Sequence, residues 1–253
     1  MARIFITGST DGLGLFNAHT LIGQGHDVVL HARTTERAEA ISGLDSAGVV
    51  IGDLSSDVET RAIADQVNAI GRMDAVIHNA GVYLSNSRIA TAEGHSRTFA
   101  VNVLAPYLLT ALIERPDRLV YVTSGMHLGV RSDLDDIDWT NRRWNASQAY
   151  SESKLYVAAL AAAVARRWPD VLSNSVDPGW VPTKMGGRGA SDDLELGHDT
   201  QSWLAVSDDP AATVTGQYWH HRRHQQPASE VNDPDFQDRL IGTLAAITGT
   251  RLF

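Results

Sequence analysis

The sequence predicts an α/β fold: a single doubly wound parallel sheet of about seven strands with helices on both faces. Three observations predict it. Apolar runs at 3–7, 27–32, 48–52, 74–79, 118–124, 171–177 and 214–219 alternate with stretches long enough for helices. The runs are near-continuous in Val, Ile and Leu, as in strands covered on both faces. The first of them, Arg3-Ile4-Phe5-Ile6, breaks directly into Thr7-Gly8-Ser9-Thr10-Asp11-Gly12-Leu13-Gly14 and then into a helix-periodic segment over 15–23. A strand, a glycine-rich turn and a helix in that order form a phosphate cradle.

In that cradle Gly8 permits the tight turn, Gly12 lets backbone approach a pyrophosphate, and Gly14 lets the helix pack closely on the strand. The second run, 27–32, continues into Arg33-Thr34. The position about 20 residues beyond a glycine loop carries a ribose-binding carboxylate in NAD-binding folds, and here it offers Arg33. Arginine pairs bidentately with a 2′-phosphate, so NADP is expected over NAD, with Arg37 a second candidate contact. Glu36 could still reach a ribose. The third run ends in Gly52-Asp53-Leu54, and one reading of Asp53 is an N-cap for a helix beginning near Val58. The fourth passes through His78 into Asn79-Ala80-Gly81. In 99–109, Pro106 lies four residues after Asn102; proline lacks the N–H that would bond the Asn102 carbonyl, so a kink should leave that carbonyl unpaired. A proline-bent structural helix with a satisfied core asparagine is the alternative.

The fifth run ends at Ser124, and Tyr150 and Lys154 follow in Gln148-Ala149-Tyr150-Ser151-Glu152-Ser153-Lys154. At i and i+4 of a helix the two side chains share a face. Bringing a phenol from about 10 toward 7 requires roughly 4 kcal/mol of preferential anion stabilisation, within reach of a desolvated cation assisted by a bound positive ring. The sixth run closes in Asp177-Pro178-Gly179. Three stretches break the rhythm, at 126–147, 180–199 and 220–235, and long insertions at this edge of a sheet tend to be active-site walls or lids. The second contains Gly186, Gly187, Gly189 and Gly197 beside Asp192 and Asp193 and is expected to be a mobile lid. His220, His221 and His224 lack a carboxylate or cysteine partner in their stretch, so no metal site is expected, and the acidic run Asp133, Asp135, Asp136 and Asp138 reads as solvated surface.

At 253 residues the chain suits one domain over 1–253. A net charge of −9 provides no basic field for nucleic acid or an anionic membrane, so neither partner is expected. With no cysteine, disulfides and thiolate chemistry are excluded and redox work needs a bound carrier. The first strand begins by residue 3 and the longest apolar run, 155–165, is too short to span a bilayer; a soluble, cytoplasmic protein is expected.

These motifs together resemble the short-chain dehydrogenase/reductase family over nearly the whole chain. Residues 7–14 look like its cofactor loop and Asn79-Ala80-Gly81 like its N-A-G segment. Asn102, Ser124, Tyr150 and Lys154 fall in the order of its catalytic tetrad, and Pro178-Gly179 is similar to its turn after the sixth strand. His78 stands where many members have asparagine. The long Ser124–Tyr150 interval is similar to that of retinol-dehydrogenase-like and protochlorophyllide-reductase-like members. The resemblance implies a Rossmann-type NAD(P)-binding domain that transfers a hydride between nicotinamide and a carbonyl or alcohol carbon. It implies Tyr150 as proton donor, Ser124 polarising the carbonyl oxygen, Lys154 holding the nicotinamide ribose and Asn102 continuing a relay to water. By the same resemblance Gly8, Ser9, Thr10, Asp11, Gly12, Leu13 and Gly14 cradle phosphates, Asp53 with Leu54 meets the adenine, and Asn79, Ala80 and Gly81 line the ribose side. Pro178, Gly179, Val181 and Thr183 would hold the carboxamide and phosphates. It also implies a homodimer or homotetramer, since the family commonly pairs through the helix carrying the alanine-rich 158–165. Tyr83, Leu84, Met126, Leu128, Trp144, Trp180 and Met185 are candidate walls for a hydrophobic carbonyl or alcohol substrate. Two other readings stay open: a non-catalytic NADP-sensing regulator, and a sugar-nucleotide epimerase or dehydratase.

Overall fold

The computed structural model describes residues 1–83 and 86–253, so Leu84 lies outside the described residues. The strands are β1 (Arg3–Ile6), β2 (Asp27–Ala32), β3 (Gly48–Ile51), β4 (Ala75–His78), β5 (Arg118–Val122), β6 (Leu172–Asp177), β7 (Tyr218–His220) and β8 (Arg223–Gln225). They form one sheet in the order β3-β2-β1-β4-β5-β6-β7-β8, parallel from β3 to β7 and closed by an antiparallel β8. The helices are α1 (Gly12–Gly23), α2 (Thr35–Glu39), α3 (Asp57–Ile70), α4 (Arg97–Phe99), α5 (Ala105–Leu112), α6 (Ala146–Arg167), α7 (Leu194–Val206) and α8 (Pro234–Thr248).

Strand side chains alternate between two cores. Ile4, Ile6, Val28, Leu30 and Ile77 pack with Ala18 and Leu21 of α1 and Trp203 and Leu204 of α7. Phe5, Val29, Val76, Leu119 and Tyr121 pack with α3, α5, α6 and α8. Continuous apolar strands are thus what a sheet covered on both faces requires. The strand order reverses between β1 and β4, which places the turns after those strands at the switch point where such sheets bind ligands.

The structure corrects the sequence reading in five places. An eighth strand stands inside 220–235, paired through a tight turn with His221 and Arg222 at φ 49° and 57°. Two-residue hairpin turns of this hand usually carry Asn or Gly, which is why the pattern conceals it. Residues 194–199 of the expected lid belong to α7, and Gly197 is buried there, with Val181 Cγ1 2.6 Å from where its Cβ would lie. Ser56, accepting from Glu59 N, is the N-cap of α3; Asp53 instead accepts from Ser55 N at 2.9 Å and Ser55 Oγ at 2.8 Å. Around Asn102 the chain makes a π-turn over Ala100–Leu104, in which the Ala105 N–H reaches the Ala100 carbonyl, in place of a simple proline kink. The acidic run is also not solvated surface throughout. Asp136 is 8% exposed, and burial raises its pKa, but hydrogen bonds from Thr140, Asn141 and Arg142 outweigh that and hold the carboxyl at about 2.

Ala158, Ala159 and Ala161 are buried in the core that holds Leu240 and Leu244 of α8, and Ala163 is buried as well. No helix among the described residues is long and apolar enough to cross a membrane.

Candidate active site

The glycine loop and the N-A-G segment are stitched together at the switch point. Asn79 N and Ala80 N donate to Thr7 Oγ1 at 2.9 and 3.0 Å, and Asn79 Nδ2 donates to Thr7 O at 2.9 Å. A Cβ on Gly14 would lie 2.4 Å from Gly8 O and 2.5 Å from Asn79 Nδ2, so only glycine fits. His31 braces the loop from β2. Gly8 N donates to its Nδ1 at 2.9 Å, which leaves Nε2–H to donate to Gly52 O at 2.9 Å. Burial lowers the His31 pKa, consistent with the neutral tautomer these bonds demand.

A cleft of about 370 Å³ runs along the carboxyl edge. Gly8, Thr10, Asp11, Gly12, Leu13, Arg33, Asp53, Leu54, Asn79, Ala80, Gly81, Tyr150, Lys154, Pro178 and Thr183 line it as the sequence predicts. Ser9, Gly14, Gly179 and Val181 do not, and neither do Asn102 and Ser124, which stand behind Val82 and beside Tyr150. Ser9 is buried behind the loop, its hydroxyl donating to Ile6 O and accepting from His31 N, and Val181 is turned into the packing against Gly197. His31, Arg97, Val122, Thr123 and Lys184 line it without having been singled out; no motif spacing marks them. At one end Arg33 is exposed and has no polar partner among the described residues, while Arg37 is paired with Asp11 at 3.4 Å and with Thr10 at 2.9 Å. Asp11 also takes Lys184 at 2.5 Å, so residue 184 reaches over the glycine loop.

At the other end stand Ser124, Tyr150 and Lys154. Ser124 is extended just past β5 and caps a short 3-10 turn over Gly125–His127. His127, fully buried, accepts from Ala228 N at 3.2 Å, so its Nδ1–H donates to Ser124 O at 2.7 Å and holds that residue in place. Tyr150 is 8% exposed, lies with its ring centroid 4.4 Å from that of Tyr83, and hydrogen-bonds Ser124 through its side chain. Lys154 Nζ donates to Val122 O at 2.8 Å and stands 5.5 Å from the Tyr150 ring centroid. Its ammonium pKa is lowered by burial to about 8, against the opposing pull of Asp177. Burial pushes the Tyr150 phenol well above its ordinary range, with only the Ser124 bond opposing, so in the protein alone Lys154 does not bring it toward neutrality. The ammonium is turned to a carbonyl and not to the phenol oxygen.

Asn102 belongs to the same cluster through its side chain. Its Oδ1 accepts from Val82 N at 2.8 Å, and its Nδ2 donates to Val82 O at 3.1 Å and Ser153 Oγ at 2.9 Å. Lys154 Nζ would lie 3.3 Å from a Cβ on Gly81 and Asn102 Oδ1 3.5 Å, so the N-A-G segment, the asparagine and the lysine converge.

A doubly wound sheet with a braced glycine loop and a Ser-Tyr-Lys cluster is the design of a dinucleotide-dependent oxidoreductase. The family model for short chain dehydrogenase matches residues 2–193, and the chain belongs to that family. It is 43% identical over 258 residues to the short-chain dehydrogenase chyC of Penicillium rubens, covering 100% of this chain and 99% of that protein. It is 28% identical to human retinol dehydrogenase 13, covering 97% and 84% of the two, in line with the resemblance drawn from the long Ser124–Tyr150 interval. The crystal structure of an uncharacterized protein from Mycobacterium paratuberculosis superposes with a TM-score of 0.85 at 25% identity, covering 100% of this chain and 95% of the other. The chain is therefore an oxidoreductase of a family that uses a nicotinamide cofactor and acts on small molecules.

Proposed function

We propose that the chain is an NADP(H)-dependent enzyme that transfers a hydride between nicotinamide and the carbonyl or alcohol carbon of a hydrophobic small molecule. The observation that carries this reading is one cleft that holds Arg33, without a polar partner among the described residues, together with Tyr150 and Lys154. The residues present suit the dinucleotide: a loop without side chains at Gly8 and Gly12, a free guanidinium for a 2′-phosphate, and Lys154 beside Gly81 for a ribose. Bound nicotinamide would supply the hydride.

Tyr150 delivers a proton to the carbonyl oxygen; burial holds that proton on the phenol in the protein alone, and the charge of Lys154 together with a bound positive nicotinamide ring would ease its release. Ser124, fixed by His127, donates to the same oxygen. Lys154 retains charge near neutrality, and Asn102 orders the Val82 backbone beside it. The Met126, Trp180 and Met185 side chains are exposed near these groups and suit an apolar substrate body. Residues 180–193 act as the lid, latched to the glycine loop by Lys184 and Asp11. A homodimer or homotetramer would have to pair through a surface other than the alanine face of α6, which α8 covers.

The reading is tested by following NADPH absorbance with a panel of aldehydes and ketones. Saturable binding without consumption across the panel would overturn it in favour of a cofactor-sensing protein. For the cofactor itself, Arg33→Asp should cost about 1.5 to 3 kcal/mol of NADPH binding, roughly ten- to a hundredfold in affinity, with NADH unaffected by the lost contact. The ratio of kcat/KM for the two cofactors reads this directly, and an unchanged ratio would show Arg33 to be a surface residue.

A further inference from the structure

We infer that Asp177 is a specificity-determining residue, accepting a hydrogen bond from a hydroxyl or ammonium group on the substrate, so that the substrate class is a hydroxy- or amino-substituted carbonyl compound. This rests on the carbonyl-reduction reading above. Asp177 ends β6 beside the turn that carries Ser124. Its Oδ2 lies 2.9 Å from where a Cβ on Gly125 would stand, so glycine there leaves the carboxylate uncovered next to the catalytic serine. Its side chain is 15% exposed.

The two oxygens are not equally used. Oδ1 accepts from Gly179 N at 3.0 Å. Oδ2 has only long contacts, 3.4 Å to Tyr218 Oη and 3.5 Å to His220 Nδ1, and that ring nitrogen lies closer, at 3.2 Å, to the Asp177 carbonyl. A carboxylate has about four acceptor sites. Oδ2, with no bond shorter than 3.4 Å and partly exposed, is open to a stronger donor from outside the chain.

Its field reaches the reacting groups as well, favouring the protonated forms of both Tyr150 and Lys154. A substrate donor held at Asp177 therefore sits close to the phenol that protonates its carbonyl. The same charge would repel a carboxylate substrate. Met185, in the cleft lining, receives the apolar remainder, so the pocket asks for a hydrophobic body with one polar handle near the reacting carbon.

The experiment compares kcat/KM, with NADPH, for ketones of one carbon skeleton bearing a hydroxyl, an amino group, a carboxylate or no substituent near the carbonyl. The wild type should favour the hydroxy and amino ketones over the plain ketone by about tenfold or more, and the keto acid should be poorest. Asp177→Asn keeps an acceptor for Gly179 N and should lose the amino preference while keeping part of the hydroxyl one; Asp177→Ala should lose both. NADPH Kd and circular dichroism report that the variants are folded. Absence of preference in the wild type, or the same preferences in both variants, overturns the inference. If no compound oxidises NADPH, the carbonyl-reduction reading falls and takes this inference with it.

Discussion

Tyr150→Phe is expected to lower kcat by about 10²- to 10⁴-fold while the NADPH Kd stays within a few fold. The phenol is 8% exposed and bonded to Ser124, and burial keeps it protonated until a reacting oxygen takes the proton. Phenylalanine keeps the ring against Tyr83 and removes only the hydroxyl. In the proposed reading the cofactor is held by the glycine loop, Arg33 and Lys154, which line the cleft and which the substitution leaves in place. Single-turnover kinetics at saturating NADPH makes the comparison. A rate near wild type where chemistry limits would show that another group is the acid.

The second large effect is one of stability. Arg142→Ala should destabilise the fold by about 3 kcal/mol or more, because Glu152 is 1% exposed and would lose its cation. Arg142 donates to both Glu152 oxygens at 2.9 Å, and Trp139 Nε1 adds a bond to Oε2 at 3.0 Å. Glu152 lies two residues from Tyr150 on α6, so the pair ties the insertion over 126–147 to the catalytic helix. Replacing Arg142 and Glu152 together by apolar residues of similar volume should recover the part of the loss that comes from stranding Glu152, while Asp136 keeps its bonds from Thr140 and Asn141. Urea unfolding of the single and double variants separates the cases, and a double variant as unstable as Arg142→Ala would show that packing, not a stranded charge, sets the cost.

Much of this was legible along the chain. β1 to β6 fall within two residues of the apolar runs because a strand covered on both faces must be apolar at every position, and that leaves a local signature. The glycine loop was legible because Gly14 permits no side chain at all. Tyr150 and Lys154 were legible because one helical turn fixes their relation.

β8 was not legible, since its residues are polar and its turn lacks the usual glycine or asparagine. Nor was Asp136, where the same letter stands for a solvated acid or for a carboxylate filled by Thr140, Asn141 and Arg142. Motif position does not by itself give exposure: Ser9 and Val181 belong to the motifs, yet packing buries both beside the cleft.

By itself the sequence determined the fold class, the glycine loop between β1 and α1, and the placement of Tyr150 and Lys154 one helical turn apart, because each depends on patterns among residues a few positions apart. Tertiary structure decided that Tyr150 and Lys154 share a cleft with the glycine loop, that burial and Ser124 govern the Tyr150 phenol more than Lys154 does, and that the Asp177 charge at the end of another strand acts on both. These depend on desolvation and on Coulomb interactions between residues distant in the chain. Burial and through-space distance exist only once the sheet has closed over them.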